Sequence, residues 1–163
     1  YVIYERGADL WLLTIPELRA TQFLKASSTL KNGQFSPDGK WVAYSSNESG
    51  RWEVYVTSFP EAHGKWQVSN AGGDQPRWRN DGKELFYLAP DSKMMALPVK
   101  TGTNFDAGTP TALFQANPRE LVATSEQFSY DVSQDGQKFL INTQLKTGMA
   151  PMSVVLNWSA KLN

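Results

Sequence analysis

The chain has 163 residues, 40% of them hydrophobic, which is enough for a packed core and too many for a disordered tail. Sixteen Lys and Arg balance sixteen Asp and Glu, and the basic residues are scattered, so there is no net field to draw in a nucleic acid. Cysteine is absent, which excludes a disulfide framework, a thiolate metal site and a cysteine nucleophile, and no apolar run reaches the roughly 18–20 residues of a membrane span.

The opening residues 1–6 lack signal-peptide anatomy. Aromatics make up 12% of the chain, and Gly and Pro punctuate short apolar segments, a mixture that points to an all-β protein. Strands are predicted at 1–4, 9–13 and 22–24. Next comes Phe35-Ser36-Pro37-Asp38-Gly39-Lys40-Trp41-Val42-Ala43-Tyr44, which reads as strand, turn, strand: Pro presets the first turn position, Asp caps locally and Gly accepts positive φ. Strands at 53–56 and 66–68 follow. The pattern returns as Trp78-Arg79-Asn80-Asp81-Gly82-Lys83-Glu84-Leu85-Phe86-Tyr87, with strands at 94–97 and 112–114 behind it. It returns again as Val132-Ser133-Gln134-Asp135-Gly136-Gln137-Lys138-Phe139-Leu140-Ile141, with a strand at 154–156.

Self-similarity of this kind is the mark of a repeat fold. Gly39 and Gly82 lie 43 positions apart and Gly82 and Gly136 lie 54 apart, so the last interval holds an insertion of about 11 residues, placed at 116–127. A period of about 40–45 with four strands per unit matches the blades of a β-propeller, and no 3.6-residue helical period is visible. The expected fold is therefore all-β, a partial propeller of about three and a half blades. The blades span 1–25 (cut), 33–69, 75–115 and 127–158, the last lacking its outer strand, with fourteen strands in all. The third strand of each unit is apolar on both faces, as suits a sheet packed against a neighbour on each side.

Such sheets stabilise one another, so a chain with two open end faces is expected to be marginal alone and to need company. Either upstream blades close the ring, the expectation favoured by a start inside a strand, or a second copy does, or the ends stand exposed.

The motif at 35–40 and its degenerate copies resemble the repeat of TolB-like, WD-type propellers. With Trp52-Glu53-Val54-Tyr55-Val56, Gln75-Pro76-Arg77-Trp78 and the ending Val154-Val155-Leu156-Asn157-Trp158, the stretch 9–158 also resembles the C-terminal propeller region of bacterial serine/threonine kinase receptors. That resemblance implies a kinase and a membrane span upstream and a periplasmic or otherwise extracytoplasmic propeller acting as a sensor.

Signs of catalysis are weak. His63, the only histidine, lies in Glu61-Ala62-His63-Gly64 between two strands and reads as an exposed turn residue. There is no nucleophile elbow, zinc-peptidase helix or phosphate loop. Asp38, Asp81 and Asp135 lack the alternation of a calcium loop and read as turn caps, so no cofactor and no metal is expected. Trp78 aligns with Phe35 and Val132, and so belongs to the core. A binding face is expected on the loops that link successive blades and on those joining second to third strands, which can vary without unfolding the ring. The candidates are Glu48, Arg51 and Trp52 in one loop, Asn70 and Asp74 in another, Arg77 beside Trp78, and Arg119 and Glu120 in the insertion.

The functional expectation is a non-catalytic binding or sensing module for a protein or small-molecule ligand, without nucleic-acid or membrane contact from this segment. The alternatives are a propeller gating a prolyl-oligopeptidase-like hydrolase, with catalysis outside this chain, and a purely structural assembly unit.

Overall fold

A computed structural model describes residues 1–25, 27–119 and 127–143, and the backbone of 152–156. The described residues form four antiparallel sheets and no helix. The first sheet holds β1 (Val2–Arg6), β2 (Asp9–Thr14) and β3 (Arg19–Leu24), and the second β4 (Leu30–Phe35), β5 (Trp41–Ser46), β6 (Glu53–Ser58) and β7 (Trp66–Gln67). The third contains β8 (Asp74–Trp78), β9 (Glu84–Leu88), β10 (Lys93–Thr101), β11 (Phe105–Ala107) and β12 (Thr111–Gln115), and the fourth β13 (Tyr130–Val132), β14 (Lys138–Asn142) and β15 (Met152–Leu156). Every strand read from the sequence is present. The addition is β11, which makes fifteen: β10 runs on past the expected 94–97 to Thr101, and its far end pairs with β11 while its near end pairs with β12.

The three hairpins repeat in register as well as in sequence. Phe35 faces Val42, Trp78 faces Leu85 and Val132 faces Phe139. Each turn glycine has positive φ and donates its amide to the carbonyl three residues back: Gly39 to Ser36 at 2.9 Å, Gly82 to Arg79 at 2.9 Å and Gly136 to Ser133 at 2.8 Å. The turn aspartates accept the amide two residues on, from Lys40, Lys83 and Gln137, so they cap the turn as read from the sequence. In the middle turn Arg79 replaces the serine and forks onto both oxygens of Asp81 at 2.7 and 2.8 Å, while its Nη1 reaches Glu84.

Those hydrogen bonds from Arg79 hold the Asp81 carboxyl down at about 2, below its ordinary 3.8. A depressed carboxylate contributes stability that is fully present above about pH 4 and lost as pH falls toward 2. Asp81 is well exposed, so the effect is modest. Asp81→Asn is expected to lower the melting temperature slightly near neutrality, to flatten the acid limb of the profile over that window and to converge with the parent as pH approaches 2.

What makes these sheets one body is the parity of each middle strand. In β5, Val42 and Tyr44 pack toward the first sheet with Leu10 and Leu30, whereas Trp41 and Ala43 pack toward the third with Leu85, Tyr87 and Leu97. In β9, Leu85 and Tyr87 face the second sheet, and Phe86 and Leu88 face the fourth with Tyr130, Phe139 and Ile141. A strand buried on both faces has no polar side, and β5 is buried at all six positions. The outer sheets differ. β14 alternates, burying Phe139 and Ile141 and exposing Lys138, Leu140 and Asn142, and Val2 of β1 is also exposed. Among the described residues the architecture is a stack of successive propeller blades, with Val2 and Leu140 exposed on the first and last sheets.

Candidate functional site

The loop 47–52 after β5 and the loop 68–73 after β7 meet at one end of the second and third sheets. Gly73 donates its amide to Trp52 O at 2.9 Å, and Ser69 Oγ accepts the amide of Val54 at 2.8 Å. Beneath them lies Glu53, fully buried although it opens a strand that otherwise reads as apolar. Its Oε1 accepts Arg51 Nε at 2.7 Å and the Gly72 amide at 3.0 Å, and its Oε2 accepts Ser69 Oγ. A buried carboxylate persists only when its oxygens are satisfied in this way.

Arg51 is thereby pinned twice, because Nη2 also donates to Asn70 O at 2.8 Å, yet its side chain is 58% exposed. Beside it, the Trp52 ring lies under Lys31 Nζ at 4.1 Å from the centroid. Lys31 in turn pairs with Asp74 Oδ2 at 2.7 Å, and both side chains are almost wholly buried. Asp74 Oδ1 accepts Asn32 Nδ2 at 3.0 Å and the Gln75 amide at 2.7 Å. Glu48, on the same loop, receives Lys65 Nζ at 2.6 Å and edges a cavity of about 510 Å³ lined by Ser27, Ser28, Thr29 and Asn47 among others.

Of the candidates, the structure brings together Glu48, Arg51, Trp52, Asn70 and Asp74. Within this group Arg51 offers an exposed charge, whereas Asp74 is sealed in the seam between the second and third sheets. Arg77 belongs to the next seam, between the third and fourth sheets, where its guanidinium lies 3.8 Å from the centre of the Phe128 ring. Trp78 is buried, with Nε1 donating to Gln34 O at 3.1 Å. Arg119 is exposed near the fourth sheet, its amide bonded to Asn142 O, and Glu120 lies outside the described residues. His63 is exposed and pairs with Glu61 at 2.8 Å. Among the described residues no group of three or more His, Asp or Glu is placed to hold a metal ion.

Sequence reasoning passed over Lys31, Asn32, Glu53, Ser69 and Gln75. Asn32 and Gln75 occupy equivalent places in β4 and β8, each with positive φ (57° and 58°) at a break in strand register. Each reaches across to the next sheet: Asn32 to Asp74, and Gln75 Oε1 to the Ser129 amide at 2.6 Å. The Asn32 amide itself donates to Glu5 of the first sheet at 2.6 Å, and Tyr130 Oη to Gln75 O at 2.8 Å. Burial drives the Tyr130 phenol well above its ordinary range, so it acts as a fixed donor. A polar residue recurring three positions before Phe35, Trp78 and Val132 was the available signal.

No family model matches the chain. Over 99 residues it is 30% identical to the Tol-Pal system protein TolB of Desulfotalea psychrophila, an alignment covering 56% of this chain and 23% of that protein. Among solved structures it is similar to TolB from Acinetobacter baumannii, with TM-score 0.67, 13% identity, and 95% of this chain on 37% of that one. An oligogalacturonate lyase from Vibrio parahaemolyticus is also similar, with TM-score 0.55, 12% identity, and 80% of this chain on 34% of that one. The chain thus spans about a quarter to a third of the length of the proteins it matches. Repeat, register, two-sided packing and structural likeness agree, and the described residues form successive β-propeller blades with the fold found in TolB.

Proposed function

We propose that this propeller segment is a non-catalytic binding module whose partner, a protein, docks on the loop face around Arg51 and Trp52. The observation that carries the reading is the state of Arg51: exposed, yet held by Glu53 and Asn70 before any partner arrives. Fixing a long side chain at an interface costs about 0.5–1.5 kcal/mol, and pre-organisation removes that cost. Arg and Trp are also the residue types that dominate binding hot spots.

Sequence likeness to a Tol-Pal system protein supports a role in a protein assembly, and with it an extracytoplasmic location. The resemblance of residues 9–158 to kinase-receptor propellers makes a sensor domain the more specific form of the proposal, with a TolB-like scaffold as the other. The open faces of the first and fourth sheets fit further blades, and the matched TolB chain extends well beyond the part aligned here.

A photo-crosslinker at position 48 of the full-length protein is expected to trap a defined protein adduct that Arg51→Ala and Trp52→Ala abolish. Equal trapping from position 83, at the opposite hairpin tip, or trapping indifferent to both substitutions, contradicts the docking face. For the sensor form, the complete reading frame is expected to carry a kinase and a membrane span before this segment, and a hydrolase after it contradicts that form.

A further inference from the structure

Gln34, Arg77 and Asp131 are equivalent residues of β4, β8 and β13, each one position before the hairpin's Phe35, Trp78 or Val132. They form a polar row across three sheets. Arg77 Nη1 donates to Gln34 Oε1 at 3.2 Å, and its guanidinium plane is fixed against Phe128. On the other side Asp131 Oδ1 stands 3.8 Å from Nε, within reach of charge attraction but beyond a hydrogen bond. Nε is buried and has no hydrogen-bond partner among the described residues. A guanidinium so arranged has satisfied one corner and left its Nε edge with a poor, 65%-exposed counter-ion.

Two cavities meet at this residue, of about 270 and 320 Å³, and Arg77 and Asp131 are the charged residues lining both. The rest of the smaller wall is half amide and hydroxyl, from Gln34, Asn80, Ser133 and Gln134, and half apolar, from Phe35, Pro37, Trp78 and Val132. An arginine edge accepts a carboxylate through two parallel N–H bonds, which neither Asp131 at its present distance nor a lysine reproduces. Amides and a hydroxyl around it suit ligand hydroxyls.

We propose that Arg77 seats the carboxylate of a small hydroxylated organic acid in the seam between the third and fourth sheets, with Asp131 as the local charge that the ligand displaces. This goes beyond the protein-docking reading and uses a different seam. Loss of the carboxylate site therefore leaves crosslinking from position 48 intact, and loss of the docking face leaves acid binding intact.

The test is titration calorimetry of the full-length protein with L-tartrate, and with threitol, the same carbon skeleton without carboxylates. Tartrate is expected to bind and threitol not. Arg77→Gln and Arg77→Lys are each expected to weaken tartrate at least tenfold with circular dichroism unchanged. Asp131→Asn, at an exposed position that leaves the fold alone, is expected to tighten it severalfold by removing the competing charge. Tartrate affinity indifferent to Arg77→Gln, equal binding of threitol, weaker binding by Asp131→Asn, or no binding by either the parent or Asp131→Asn overturns the proposal.

Discussion

Replacing Asp74 by alanine is expected to lower the unfolding free energy by about 3–5 kcal/mol, the cost of leaving one member of a buried ion pair without the other. Lys31 and Asp74 are 8% and 1% exposed, so water offers Lys31 little compensation unless the seam between the second and third sheets opens. The same carboxylate accepts from Asn32 Nδ2, which loses this partner with it, and from the Gln75 amide, which keeps Ser45 Oγ at 3.2 Å. The double replacement Lys31→Met with Asp74→Leu removes both charges together and is expected to recover most of the loss, because a well-packed apolar pair can match a buried salt bridge. Urea unfolding of the parent and the two variants measures this. Equal loss in the single and double variants would show that the pair is not what holds the seam.

Phe86→Ala should cost a comparable amount, about 3–5 kcal/mol, for a different reason. Phe86 is fully buried on the face of β9 that meets the fourth sheet, edge-to-face with Phe139 at 5.0 Å between ring centres. Truncation removes a large apolar surface and leaves a cavity between two sheets that cannot collapse onto each other. Leu140 provides the control. It neighbours Phe139 in the same strand but points to the open side and is 48% exposed, so Leu140→Ser is expected to shift stability by no more than about 0.5 kcal/mol. A large effect at Leu140 would mean that another element covers that face, and the same unfolding measurement reports it.

The turns were the legible part of the sequence, because their chemistry is local. Asp-Gly at 38–39, 81–82 and 135–136 specifies a backbone that few other residue pairs adopt, and three copies at blade spacing mark the repeat and place its hairpins. Trp78 could be placed in the core by its alignment with Phe35 and Val132. By contrast, β11 is three residues long and pairs only because β10 overruns its expected end, and neither fact has a local signature. Glu53 escaped because a charged residue at a strand start is ordinarily solvated. Its burial depends on Ser69 and Gly72, sixteen and nineteen residues away, closing over it. Asn32 and Gln75 take positive φ without being glycine, a choice made by the partners they reach on neighbouring sheets. The loop candidates were found as residue types in exposed loops. That Arg51, Trp52, Asn70 and Asp74 converge while Arg77 serves another seam is a property of the stacking alone.

The fold stands because neighbouring sheets protect each other's faces. Native-state amide hydrogen exchange on the full-length protein tests that most directly. The ladder amides of β5 and β9, buried on both sides, are expected to exchange slowest and together, with those of the half-exposed β3 exchanging faster. Exchange from β5 and β9 as fast as from β3, or at unrelated rates, would contradict the stacked-blade architecture.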